Sequence, residues 1–194
     1  MRNTAVYKTM RRDRFKQILQ FIHCADNTNI DKEDKLYKLR PFINLLQKKF
    51  KEQFVPVENL DFDEAMIKYY GKHGCKQFIK GKPIRFGFKV WSLNTKDGYL
   101  LNFDIYQGKS PTTSEQNKRL FGKCTAPLIS MISDISHSEY PYHFYLDNLF
   151  TSITLFDFLR EQGYHVTGTF RDDRIPSTCP LISKKSMKKS EEKI

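Results

Sequence analysis

At residue 58 the spacing of apolar residues changes from helical to alternating, and no other feature limits the fold as much. Upstream, Phe15, Ile18, Leu19 and Ile22 recur at helical spacing among Arg11, Arg12, Arg14 and Lys16. A polar run over residues 26–35 reads as a loop. Pro41 stands where a helix can begin; Phe42, Leu45, Leu46, Phe50 and Phe54 continue it on one face, and Pro56 stops it. Downstream, Leu60, Phe62 and Met66 alternate with Asp61, Asp63 and Ala65, the period of a strand.

The second block continues with strands and helices in turn. Residues 84–93 predict a second strand, and Asn94 to Gly98 carries turn chemistry. Tyr99, Leu101, Phe103 and Ile105 then complete a hairpin. Leu128, Met131, Ile132 and Ile135 predict a helix, with Thr125 as its cap and Pro127 in its first turn. Residues 142–147 predict a fourth strand. Ser152 is placed to cap a helix through Leu155, Phe156 and Leu159 that Gly163 ends, and Tyr164 to Phe170 predicts a fifth strand. Three strands, helix, strand, helix, strand is the order of an α/β mixed sheet flanked by helices. It is also the order expected of an RNase H-like architecture, whose metal-binding carboxylates lie on the first and fourth strands. The division read from the sequence is a helical, DNA-binding-like segment over 1–57, a core over 58–182, and a disordered basic tail over 183–194.

Charge narrows the partners. The formal net charge is +11, which favours nucleic acid or an acidic surface. No N-terminal apolar stretch reads as a secretory signal, and none is long enough to span a bilayer, so no membrane partner is expected. Cys24, Cys75, Cys124 and Cys179 lack the spacing of a structural zinc site, and buried free thiols are expected. A reducing compartment fits, and DNA partners make it the nucleus. No P-loop, G-x-G-x-x-G or G-x-S-x-G pattern is present, and the five histidines suggest no nucleophilic partner.

Two acids stand out. Asp63 lies on the first predicted strand and Asp147 closes the fourth, 84 residues later (147 − 63). Carboxylates held at strand positions of one sheet can share divalent ions, and such ions drive in-line displacement at phosphodiesters. Mg²⁺ or Mn²⁺ suits oxygen ligands of this kind. Asp61 shares a face with Asp63, as ligand or supporting partner, and Asp104 lies on the polar face of the third strand. Alternatively, each acid is a solvated strand-edge residue or a turn cap. Between Lys68 and Lys89 there are seven basic residues, Lys68, Lys72, Lys76, Lys80, Lys82, Arg85 and Lys89, and no acid. These cations are expected to contact phosphates, and interleaved aromatics can stack on exposed bases. Phe86 and Phe88 share a strand face and are expected in the core. Lys184, Lys185, Lys188 and Lys189 read as a solvated tail or an import patch.

Several blocks together resemble the piggyBac family of transposases and the host proteins derived from them. They are Met10 to Phe15, Asp34 to Pro41, Leu60 to Ile67, Lys82 to Trp91, Leu146 to Ser152 and Gly168 to Arg174. The resemblance covers roughly residues 10–182. It implies an RNase H-like fold, a set of three metal-binding Asp residues, and cutting and rejoining of DNA at transposon ends, typically at TTAA targets. By motif, the first catalytic Asp maps to Asp63 and the second to Asp147. The family's third Asp and its Cys-rich zinc module lie beyond the last matched block. The expectation is therefore a catalytically incomplete protein, with a non-catalytic DNA-binding or interaction protein, or an inactive fragment, as alternatives. Asp172, Asp173, Glu191 and Glu192 are not expected to serve as the third ligand. Lys80 stands where many members have Pro. Which DNA ends are recognised, and whether the chain forms a homodimer, stay open.

Overall fold

The computed structural model of the chain describes residues 4–108, 113–135, 140–176 and 178–179. The tail over 183–194, with its lysines and Glu191 and Glu192, lies outside them. The alternating block forms a six-stranded sheet. At its centre β1 (Asn59–Lys68) pairs antiparallel with β3 (Phe86–Thr95), from Leu60 opposite Thr95 to Lys68 opposite Gly87. The outer edge of β3 is shared. β4 (Leu100–Ile105) pairs with it from Val90 to Asn94, and the short β2 (Lys76–Phe78) pairs with Phe86 to Phe88. On the other side of β1, β5 (His143–Leu146) and then β6 (His165–Gly168) add in parallel. Parallel neighbours need crossover connections. Here α4 (Glu115–Phe121) and α5 (Ala126–Ser133) connect β4 to β5, and α6 (Ile153–Glu161) connects β5 to β6. This is the mixed sheet flanked by helices that the sequence predicts.

Neighbouring residues on β3 show how the sheet is covered. Trp91 and Leu93 point into the larger core, built with Leu60 and Phe62 of β1, Phe144 and Leu146 of β5, and α5 and α6. Val90, one step away, belongs to a second cluster with Phe103, Cys75, Leu36 and Ile43. In the larger core the Phe62 ring lies 4.8 Å from Phe150 and 6.3 Å from Trp91. Full burial of a ring of this size contributes about 1.5–3 kcal/mol. On the second face α3 (Arg40–Glu52) lies against β4. The Gln47 amide donates to the Phe103 carbonyl at 2.6 Å, and the Tyr99 hydroxyl donates to the Phe50 carbonyl at 2.7 Å. Over β1, β5 and β6 the same face is open and polar: Asp61, Tyr145, His165 and Thr167 are exposed there.

The other predicted elements appear with local differences. The Ser152 hydroxyl caps α6 by accepting from Leu155 N–H, and Gly163 ends that segment at a φ of +83°. Thr125 does not cap α5 with its side chain; its hydroxyl donates to the Phe150 carbonyl at 3.0 Å and ties α5 to the loop after β5. β2 and α4 are among the elements that carry no sequence prediction. β2 is three residues long, too short to show alternation, and α4 is polar apart from Leu120 and Phe121. Near the N-terminus α1 (Thr4–Thr9) and α2 (Arg12–Phe21) form; α2 buries none of its residues, and Phe15, Leu19 and Phe21 are exposed. Of the four cysteines, Cys75 is buried as expected and burial pushes its thiol pKa up, but Cys124 and Cys179 are half-buried and Cys24 is exposed. Among the described residues no helix is long and apolar enough to cross a membrane.

A buried ion pair fastens the loop before α3. Arg40 donates to both oxygens of Asp34, from Nε and from Nη2, the latter at 2.8 Å. Asp34 also accepts from Leu36 N–H. The Arg40 bond, more than anything else, holds the Asp34 carboxyl below its ordinary range, against the opposing push of burial. A carboxyl depressed by folding stabilises the protein above its unfolded pKa, near 3.9, and that contribution is lost as pH falls through the folded value. Asp34→Asn leaves a largely covered guanidinium without its hydrogen-bonded counter-ion. It should cost about 3 kcal/mol at pH 7. In urea unfolding followed from pH 7 downwards, the gap to the unsubstituted protein should persist to about pH 4 and shrink below it.

Candidate active site and nucleic-acid surface

The parallel pairing of β1 and β5 brings the two predicted acids to one place. Its last registered residues are Phe62 and Leu146, both buried. One step on stand Asp63, in the middle of β1, and Asp147, just past the end of β5. Neighbouring strands lie about 4.8 Å apart, which sets the scale of their backbone separation. Alternation turns Asp63 away from the core that Phe62 enters, toward the open face. The row continues in both directions. Ser92 of β3 lies opposite Asp63 and its hydroxyl donates to the Asp63 carbonyl at 3.3 Å. After β6, Thr169 lies beside Asp147 and its hydroxyl donates to Asp147 Oδ1 at 3.3 Å.

The electrostatics of this row are one-sided. Asp63 Oδ1 accepts from Glu64 N–H at 2.7 Å, and among the described residues neither Asp63 nor Asp147 forms an ion pair. Asp61 is on the same face of β1. Its side chain reaches solvent, but partial desolvation by the atoms around it raises its carboxyl pKa, the neighbouring charge of Asp63 raises it further, and a hydrogen bond from Asn94 acts the other way. Like charges held close are relieved by a cation between or beside them. Two hard carboxylates are enough protein ligands for Mg²⁺ or Mn²⁺, which keep waters and take substrate phosphate oxygens as well. Asp63 and Asp147 fit such an ion. Among the described residues no three His, Cys, Asp or Glu side chains form a metal-holding group, so Asp61 is not drawn into a set of three. Asp172 and Asp173 lie in a 3₁₀ turn ending at Arg174. Asp104, expected on a polar face, is instead buried on β4 opposite Trp91, where its charge acts on Arg40.

Residues that the sequence reading left without a role hold the Asp147 loop. The Arg174 Nη1 donates to the carbonyls of Asn148, Leu149 and Thr151, at 3.0, 3.2 and 2.8 Å. The Thr151 hydroxyl donates to the Thr169 carbonyl at 2.6 Å. Gly168 permits the close approach this needs: a Cβ there would lie 2.7 Å from the Leu146 carbonyl oxygen and 2.6 Å from Thr151 Cγ2. Parallel pairing of β5 with β6 was the available clue, because it sets the residues after β6 beside those after β5.

The basic stretch lies on an arm formed by the end of β1, β2 and the start of β3. Lys68, Lys72, Lys80 and Arg85 are exposed. The other three have partners within the protein. Lys82 pairs with Glu64 at 3.2 Å, Lys76 donates to the Tyr70 and Gly71 carbonyls, and Lys89 lies 4.0 Å from the Trp91 ring centroid. Phe88 packs on the second cluster as expected, but Phe86 is 55% exposed, because the cover over this face stops before it.

The loop wiring gives a direct test. Arg174→Ala removes a charged donor from three carbonyls and should lower stability by about 2 kcal/mol. Hydrogen exchange should rise within residues 147–151, next to Asp147, more than in β1. Unchanged exchange in that loop would show that Arg174 does not hold it.

A family profile described as Transposase IS4 matches residues 1–193. The human PiggyBac transposable element-derived protein 3 is 45% identical over 192 residues, covering 97% of this chain and 31% of that protein. The human PiggyBac transposable element-derived protein 2 is 36% identical over 184 residues, covering 95% of this chain and 31% of that protein. The chain thus spans about a third of the length of these curated relatives. Among solved structures, a piggyBac transposase synaptic complex with hairpin DNA is similar at a TM-score of 0.76 and 21% identity, over 94% of this chain and 38% of that one. The chain belongs to the piggyBac-type transposase family, and its mixed sheet has the RNase H-like fold.

Proposed function

We propose that this chain is part of a piggyBac-type DNA-processing core, which binds DNA through its cationic arm and offers Asp63 and Asp147 to divalent ions. One observation carries the reading: Asp63 in β1 and Asp147 just past β5, neither in an ion pair among the described residues, follow the last registered pair of two parallel strands, in a protein of net charge +11. The solved relative was captured with hairpin DNA, which supports DNA as the partner. A bound Mg²⁺ or Mn²⁺ would polarise a phosphoryl oxygen and lower the pKa of an attacking water or hydroxyl. The protein's own part is positional. Asp63 and Asp147 would hold the ion, the Thr169 hydroxyl orients the Asp147 carboxylate, and Arg174 fixes the loop that carries it. Transposon ends and TTAA targets belong to this reading through the family, and nuclear location belongs to it through a chromosomal substrate.

A pair of carboxylates holds an ion more weakly than a triad does. We therefore expect little strand transfer from the chain by itself, and DNA binding that survives Asp63→Ala. Incubation with labelled transposon-end DNA and Mg²⁺ or Mn²⁺ tests both parts. Strong nicking that Asp63→Ala abolishes would overturn the expected weakness. A second reading, a DNA-binding protein without chemistry, is favoured by the absence of a three-ligand group among the described residues. It predicts no nicking with either ion under any condition that preserves binding.

Phosphate contact by the arm makes affinity fall as salt rises, with a slope of about −0.9 per neutralised phosphate on duplex DNA. Substituting the exposed Lys72, Lys80 and Arg85 with Ala should flatten that slope by up to about three. Lys82→Ala, which also disturbs the pair with Glu64, should change it less. An unchanged slope in the triple variant would remove the arm from the interface.

A further inference from the structure

The outer end of the arm carries an aromatic pair that the packing does not account for. Phe78 and Phe86 are cross-strand partners, with ring centroids 4.8 Å apart, and they are 57% and 55% exposed. Farther in on the same face, Phe88 is covered by Tyr69 and His73, whose rings lie 4.8 and 5.2 Å away. The cover ends there. Lys76 Nζ stands 5.6 Å from the Phe86 ring centroid, and Lys68 Nζ stands 5.0 Å from that of Tyr70, which is 82% exposed. Exposed apolar rings held together at a surface mark a binding site more often than a packing fault.

The surroundings select the occupant. The rim is cationic, with Lys68, Lys72, Lys80 and Arg85 exposed and no acid between residues 68 and 89. A second copy of the same surface would meet like charge. A nucleic-acid strand supplies phosphates for the rim and flat rings for the pair. An uninterrupted duplex keeps its base faces inside its own stack, so only unpaired bases can use an aromatic platform. Position agrees: Phe86, Phe88, Val90 and Ser92 share one face of β3, and Ser92 lies opposite Asp63. Six residues of strand put the platform about 20 Å from the carboxylate row on the same side of the sheet.

We propose that Phe78 and Phe86 form a stacking platform for unpaired bases of a DNA strand whose phosphates lie on the lysines and arginine around them. The inference rests on the DNA reading above and adds the structural state of the DNA. The test compares the full chain on a blunt duplex and on the same duplex with a short single-stranded tail, by fluorescence anisotropy. Tighter binding of the tailed probe is expected. Phe78→Ala and Phe86→Ala should each lose roughly tenfold on the tailed probe and leave the blunt duplex unchanged. Phe86→Trp should retain the preference, and its added indole emission should be quenched by the tailed probe alone. Thermal melting matching the unsubstituted protein shows that the variants fold. Equal affinity for the two probes, or losses that are alike on both, overturns the platform while leaving DNA binding intact. A change in self-association on sedimentation, with tail affinity unaltered, overturns it in favour of a protein contact. Failure of the unsubstituted chain to bind either probe overturns the DNA reading and the platform with it.

Discussion

The register between β1 and β5 sets where the two candidate acids stand. Leu60 and Phe62 on one strand and Phe144 and Leu146 on the other are all buried, and they are partners in the parallel ladder. A slip of one residue would turn Asp61 and Asp63 into the core and Phe62 out of it. The cost of burying carboxylates without partners rules that out. Apolar burial therefore sets the position of the acids, although no apolar residue takes part in what they do. The bond from Thr169 to Asp147 and the fit of Gly168 against Leu146 extend the same logic to β6.

The sheet is covered unequally, and the candidate site lies where the cover changes. Behind β1, β3 and β5 the larger core is continuous. On the other face, α3 and the loop carrying Leu36 close over β3 and β4, anchored by the Asp34–Arg40 pair and the Gln47 and Tyr99 bonds. Beyond β1 the face is polar and open. Asp63 stands at that border. It has a rigid strand beneath it and solvent beside it, the combination a carboxylate needs to be held in place and still reach an ion.

The sequence revealed elements where periodicity was long and turn chemistry strong. The alternation from Leu60 to Met66, the Asp97–Gly98 turn and the Ser152 cap each point to one structure, and the structure has it. Local patterns could not show what distant segments cover. Phe86 and Phe88 look alike in the sequence, but the rings of Tyr69 and His73 pack on that of Phe88. Asp104 reads as a polar-face residue until Arg40 and Trp91 are brought around it by α3 and β3. The Arg174 wiring depends on a distant segment curling back over a loop, as its bond to the Asn148 carbonyl, 26 residues earlier in the chain, shows. Pairing of Asp63 with Asp147 was expected from strand order, and their adjacency comes from the parallel ladder.

The acids and the cations occupy different parts of one sheet face, and their electrostatics make each depend on the other. A phosphodiester brought to Asp61, Asp63 and Asp147 meets three negative groups, and unscreened repulsion at such distances amounts to several kcal/mol in a partly desolvated site. A divalent ion would reverse the sign locally, so on the proposed function the acid row takes a phosphate only together with a metal. The arm has the opposite property: it attracts phosphate with no metal at all. On the proposed function, affinity for DNA and capacity for chemistry are thus separable in this fold. Loss of a carboxylate should leave the first in place, and loss of the arm should starve the second of substrate while its ligands stand intact.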